Sequence, residues 1–364
     1  MPLSEVRAGM KGTGLTVVHG TRVEPFAVDI LGVVPNAGPA GDLILVRVGG
    51  PLMDETGGIA AGMSGSPVYV DGRLVGAVSY GFSFSDHRVG FLTPIEQMLP
   101  LVDEARKLDE RSRAAKAEEK PLPEVISVGV DDREAAIPGF APLATPLMVS
   151  GADERVFRRL QELVGPLGYR VEQGGHWPAA ATAGGKAEAG PEDEKLVPGS
   201  AFGAALVTGD ISVTAIGTVT YTEGDYFAGF GHPFLNKGQV ALPAGLAEIY
   251  QTVQSQEAPF KLGGPRKWLG TLLVDRPTGV AGRSAGLPSG IEVKVQVEDL
   301  DRQAPTSFHA TVAPDETLAT DLVALAALQA MDRGLARLGP GTAEVSLVLR
   351  GEGLPGGQIV RENS

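Results

Sequence analysis

The chain has 364 residues, room for two or three domains with cores of their own. A formal net charge of −13 and a pI near 4.9 would repel phosphate backbones, and no Lys/Arg stripe interleaved with aromatics occurs, so no nucleic-acid partner is expected. The absence of cysteine excludes disulfides, thiol nucleophiles and Cys-ligated zinc; the five scattered histidines (His19, His87, His176, His232, His309) would need distant carboxylates to hold a metal, and neither metal nor organic cofactor is expected.

A 43 % hydrophobic share with 50 Gly, 27 Pro and 5 % aromatics describes a globular, mainly β chain of short strands joined by turns. The opening Met1-Pro2-Leu3-Ser4-Glu5 lacks a basic region followed by an apolar one. No run reaches the roughly 18 apolar residues of a membrane span, so the chain as given is expected to be soluble.

In chain order, residues 1–98 alternate apolar runs with turn signals, giving six strands: Gly14 to His19, Phe26 to Val34, Asp42 to Val48, Val68 to Val70, Leu74 to Ser79 and Val89 to Leu92. Asp71-Gly72 is a hairpin-turn dipeptide, and six short strands in one stretch suggest a small barrel. From Pro94 to about Ala117, Ile95, Met98, Leu99, Val102 and Ala105 fall at helical spacing. Residues 99–172 thus hold that helix and a small α/β insert, with a strand at Val125 to Val130 and a helix near Asp153 to Val164, capped by Asp153 or Ser150. Residues 173–199, rich in Ala, Gly, Glu and Pro, read as a flexible linker. A second β-rich unit, 200–285, has strands at Ala204 to Thr208, Ile211 to Tyr221, Tyr226 to Phe230 and Leu269 to Val274. The C-terminal β/α segment, 286–364, has strands at Ile291 to Val297, Thr306 to Val312 and Ala343 to Arg350, and a helix from about Thr317 to Leu338 stopped by Gly339-Pro340.

Chemistry gathers at Gly62-Met63-Ser64-Gly65-Ser66-Pro67, between the glycine-rich approach Gly57 to Ala61 and the strand Val68-Tyr69-Val70. Glycines around a serine allow a tight turn that can aim N–H groups at a bound carbonyl oxygen; a Gly/Ser/Pro loop without chemistry is the plain alternative. A base is offered by Gly229-Phe230-Gly231-His232-Pro233-Phe234, where a hairpin delivers His232 at a strand end; the plain alternative is a loop histidine.

Gly-x-Ser-Gly-x-Pro, a strand, an Asp-Gly hairpin and Leu74 to Gly81 together resemble the nucleophile region of chymotrypsin-like serine peptidases. That resemblance implies Ser64 as nucleophile, the backbone N–H groups of Gly62 and Ser64 as oxyanion hole, and Ser79, Tyr80 and Gly81 as lining of the substrate cleft. Within the clan the chain resembles the SpoIVB-type peptidases of bacterial sporulation. Their G-M-S-G-S-P stands letter for letter at 62–67, T-G-G-I matches Thr56 to Ile59, L-T-V-V-x-G resembles Leu15 to Gly20, F-D-I-E-I resembles Phe26 to Ile30, and G-I-G-T-L-T-F…G-x-L-G-H resembles Ile216 to His232. The likeness covers about residues 10–98 and 200–285 and implies two chymotrypsin-like β-barrels with the active site between them. Two departures stand out. The histidine follows the serine here, so the halves are permuted, and the family's aspartate position falls on Gly49, Gly50 and Pro51. Asp275 lies where the chymotrypsin-like topology takes its acid; a turn residue or an ion pair with Arg276 is the competing reading, and Asp42 and Asp54 are further candidates.

The expectation is a serine endopeptidase with Ser64 as nucleophile, His232 as base and Asp275 as orienter. The resemblance implies a protein or peptide substrate, membrane-associated or the enzyme itself, and a secreted or cell-envelope location. The rival expectation is a catalytically inactive, protease-like envelope or binding protein. Oligomeric state is not readable from these residues.

Overall fold

The computed structural model describes residues 1–38, 41–82, 84–117, 140–143, 145–175, 195–337, 342–352 and 354–363. The first sheet is built from β1 (Lys11–Thr16), β2 (Glu24–Gly38), β3 (Gly41–Gly49), β4 (Pro67–Val70), β5 (Arg73–Phe82) and β6 (Val89–Pro94), with the short helix α1 (Pro51–Thr56) between β3 and β4. The order β4-β1-β2-β3-β6-β5, with β4 pairing back onto β5, closes a six-stranded antiparallel barrel. Alternation drives it: Phe26, Val28 and Ile30 of β2 point inward and are buried with Val46, Val48, Val68 and Met63. Asp71 and Gly72 both have positive φ, 50° and 72°, the backbone of a two-residue hairpin turn. All six expected strands are present. The first is displaced toward the N-terminus, because Val17 and Val18 are buried beyond the strand's end rather than within it.

The three-residue β7 (Phe140–Pro142) adds to β5. The helix α2 (Ile95–Ala117) leaves the barrel and lays Ile95, Met98, Val102 and Ala105 against Ala77 on one side and Ala228, Val274 and Ala281 on the other.

The second sheet has ten strands: β8 (Leu147–Ser150), β9 (Val171–Gln173), β10 (Ala201–Gly209), β11 (Ser212–Glu223), β12 (Tyr226–Gly229), β13 (Gly238–Val253), β14 (Phe260–Arg276), β15 (Gly279–Arg283), β16 (Ile291–Asp299) and β17 (Ala304–Val312). Its order is β16-β17-β10-β13-β14-β15-β12-β11-β8-β9, and β10 also pairs with β11. The helices α3 (Glu154–Val164) and α4 (Ala319–Leu335) are tied by Gln329, whose Oε1 accepts the Asp153 N–H at 2.8 Å and whose amide donates to Asp153 Oδ2 at 3.0 Å. A hairpin of β18 (Val345–Arg350) and β19 (Gln358–Asn363) ends the chain. No helix among the described residues is long and apolar enough to cross a membrane.

The insert and the C-terminal segment, read from the sequence as separate stretches, contribute to the second sheet and share one core with it: Leu147, Val156 and Leu160 pack in the same cluster as Phe202, Leu272, Phe308 and Leu322. The expected strand at Val125 to Val130 lies outside the described residues, as does most of the expected linker. The linker's end is packed, with Leu196 buried and Gly199 held against Val23 and Leu15.

Candidate active site

The nucleophile loop is shaped by its glycines. Gly62 and Gly65 have φ of +90° and +93°, a region open to glycine and strained for other residues. A Cβ at Gly65 would lie 1.9 Å from Thr218 O and 2.5 Å from Phe230 N, so the histidine half presses directly on the serine loop there. Hydrogen bonds fasten the contact: Thr218 N–H donates to Ser64 O (2.8 Å), Thr218 Oγ1 to Gly62 O (3.0 Å) and Thr220 Oγ1 to Gly65 O (2.7 Å). On the other side, Gly65 N–H donates to Val78 O (2.7 Å) and Val78 N–H to Ser66 O (3.0 Å). Ser64 is thus set between β5 and β11.

Ser64 is fully buried, and its Oγ has no hydrogen-bond partner among the described residues. The N–H groups of Gly62 and Ser64 likewise donate to no acceptor there, leaving both expected oxyanion donors unspent. Buried polar groups are normally satisfied. Ser66 Oγ is buried and unpartnered too, and four unsatisfied groups in one loop mark either a closed reaction site or a strained turn.

His232 follows Phe230 and Gly231, with φ of +64° and +71°; a left-handed phenylalanine is uncommon enough to mark local strain. Gly231 packs on Ser79 and Ala77, and Thr93 Oγ1 lies 2.9 Å from Ser79 Oγ and 2.5 Å from Gly231 O, stitching the histidine loop to β5 and β6. His232 Nδ1 lies 2.8 Å from Pro233 O. A carbonyl only accepts, so Nδ1 carries the proton and Nε2 the free lone pair, the tautomer a general base needs. Nε2 has no partner among the described residues. The ring stacks on Phe230 at 5.9 Å and meets Tyr80 edge-on at 6.3 Å. Burial lowers its pKa to about 4, the Pro233 carbonyl opposing the shift.

The serine and histidine motifs therefore meet, but Ser64 Oγ and His232 Nε2 are not hydrogen-bonded to each other. Asp275 does not reach the imidazole. Its Oδ1 accepts the Phe234 N–H (2.7 Å) and its Oδ2 the Leu235 N–H (2.5 Å), so it holds the backbone that follows His232. Burial raises its pKa to about 6, against the lowering effect of the backbone N–H groups of Phe234, Leu235, Asn236 and Lys237. The expected alternative, an Asp275–Arg276 ion pair, is not formed either: Arg276 reaches across to Glu104 on α2 at 2.6 Å. Asp42 accepts from Asn36 N–H and Asp54 pairs with Arg88 in solvent; neither bonds to the histidine. Ser79 and Tyr80 are buried and Gly81 is half-buried, on the stretch of β5 that β7 and Leu143 pair alongside.

Lys261 was not anticipated. It is fully buried, its stem lies against Gly62, and its Nζ donates to Thr16 Oγ1 (2.9 Å) and Thr218 Oγ1 (3.2 Å). Burial alone lowers its pKa to about 7, so near neutrality the amine is poised between its two forms. The one signal in the sequence was a single Lys inside the apolar stretch Ala258-Pro259-Phe260-Lys261-Leu262. Among the described residues no group of His, Asp and Glu could hold a metal ion.

Residues 3–99 match the family described as SpoIVB peptidase S55. The match covers the barrel with Ser64 and stops short of His232, Lys261 and Asp275. No curated protein and no solved structure matches the chain.

Proposed function

We propose that the chain is a serine endopeptidase in which Ser64 Oγ attacks a peptide carbonyl and His232 Nε2 takes its proton, later returning it to the leaving amine. The observation that carries this reading is the meeting of the peptidase-family barrel's serine loop with the loop that bears His232, whose Nδ1 is already committed to the Pro233 carbonyl. The amides of Gly62 and Ser64 then hold the oxyanion. Pro233 O takes the part usually given to a carboxylate, and Asp275 positions the loop instead of the ring. The six-membered circuit of pairings β10-β13-β14-β15-β12-β11 is read as the second barrel. The family likeness also carries a protein substrate, which could be this chain or an envelope protein, and a secreted or envelope location.

One observation favours the rival, a protease-like protein without turnover: Ser64 and His232 are unbonded and no carboxylate contacts the histidine. Covalent labelling by a fluorophosphonate separates the two, because it requires an activated serine. The enzyme reading expects labelling that is lost in Ser64→Ala and reduced by orders of magnitude in His232→Ala. Absence of labelling after prolonged exposure, in the native chain and in one whose buried site has been opened, would establish the rival.

A further inference from the structure

β5 has two edges. β6 covers one along Gly76–Gly81, and β4 covers the other only as far as Ala77. β4 does not cover that second edge from Ser79 onward, and this stretch begins beside the nucleophile, since Val78 is bonded to both Gly65 and Ser66. β7 occupies it, in the antiparallel register Tyr80↔Pro142, Gly81↔Ala141 and Phe82↔Phe140, and Leu143 N–H donates to Ser79 O at 2.9 Å. Alternation along an antiparallel ladder makes Ala141 and Gly81 the next hydrogen-bonded pair and leaves position 142 with its amide turned away, the one place a proline fits. The segment runs N to C toward the Ser64 loop. Leu143, its last residue before that loop, is half-buried; its Cδ2 lies 3.0 Å from where a Cβ on Gly81 would be, and it packs on the cluster containing Met63 and Val78.

An exposed sheet edge beside a reactive group is where an extended peptide adds as a strand, main-chain hydrogen bonds giving affinity and side-chain pockets giving selectivity. We propose that Phe140–Leu143 is a built-in occupant of this edge, that it closes the site in the resting protein, and that the peptide which displaces it carries an aliphatic residue where Leu143 now sits. Ser64 is completely buried and His232 nearly so, as a closed resting site requires. Three paired residues, one of them a proline, form a short ladder, so a longer peptide can displace it. This rests on the peptidase reading only in calling the edge a substrate strand.

The test reads binding apart from chemistry. A fluorescein-labelled Phe-Ala-Pro-Leu peptide is titrated by fluorescence polarisation into the full chain carrying Ser64→Ala, with and without Leu143→Asp, and with Ala141→Pro as a second release variant that removes a ladder donor. Release is expected to tighten binding by about tenfold or more, the factor for an edge free in a tenth or less of molecules. A control peptide ending in Asp should bind neither form. Equal affinity for native and released chains, or binding by none of them, overturns the proposal. In the Ser64 background, fluorophosphonate labelling should quicken by a similar factor on release. Unmasked peptide binding without any labelling would keep the occlusion and reject the peptidase; fast labelling unaffected by either release variant would keep the peptidase and reject the occlusion.

Discussion

His232 and Asp275 are two buried ionisable residues of the site region shifted in opposite directions, and they leave opposite marks on stability. With its pKa lowered from 6.5 to about 4, His232 binds fewer protons folded than unfolded across that window. It therefore makes stability rise with pH, fully present above 6.5 and lost as pH falls toward 4. Asp275, raised from 3.8 to about 6, binds more protons folded, so its contribution is present below 3.8 and is lost as pH rises through 6. Each shift is worth about 3 kcal/mol, and the two nearly cancel between pH 4 and 6. In urea unfolding over this range, His232→Phe should turn the profile downward with rising pH and Asp275→Asn should turn it upward. Parallel profiles for both variants would show that these groups do not carry the shifts. Ser64 and His232 stand out in the sequence as candidates because glycines on either side announce a special turn, which both loops adopt. Asp275 stands out in the sequence as a candidate orienter but not as the loop anchor it is, since its partners are backbone amides that carry no side-chain signature. Lys261 was hidden by ordinary statistics, which put a lone lysine at the surface.

At the scale of elements, the strands of the first barrel were readable because each is short, alternates cleanly and ends in a turn signal. β13 was missed altogether, and the first half of β14 with it. Both carry an internal proline, Pro243 and Pro265, and their pairing slips register four times, so apolar residues do not keep a period of two. β7 could not be read from three residues, because the β5 edge makes it a strand. The contact between the nucleophile loop and β11 gives a measurable contrast between two glycines of positive φ. Gly72→Ala has open space around its Cβ and should cost only the backbone strain, about 1–2 kcal/mol. Gly65→Ala meets Thr218 O and Phe230 N, so it should cost clearly more and also move the serine away from the histidine. Thermal melts of the two variants check the order; equal losses would mean that the two halves are not pressed together at Gly65.

Across the whole molecule, α2 is the seam. Met98 is fully buried in a cluster that takes Ala77 from the first barrel and Ala228, Val274 and Ala281 from the second sheet. Met98→Ala should cost about 2–5 kcal/mol, as large-to-small core changes do, and lower the melting of both halves together. Two separated calorimetric transitions, only one of them shifted, would show that the halves unfold independently. The order of the halves along the chain has a further consequence in time. The hydrogen-bond circuit of the first barrel needs nothing beyond Pro94, so a ribosome releases a complete serine barrel while Lys261 and His232 are still untranslated. At about 5–20 residues per second, on the order of 10–30 s pass between Ser64 and His232. In the peptidase reading, the nascent chain carries a nucleophile with no base and cannot cut itself or its neighbours before the second sheet has been made.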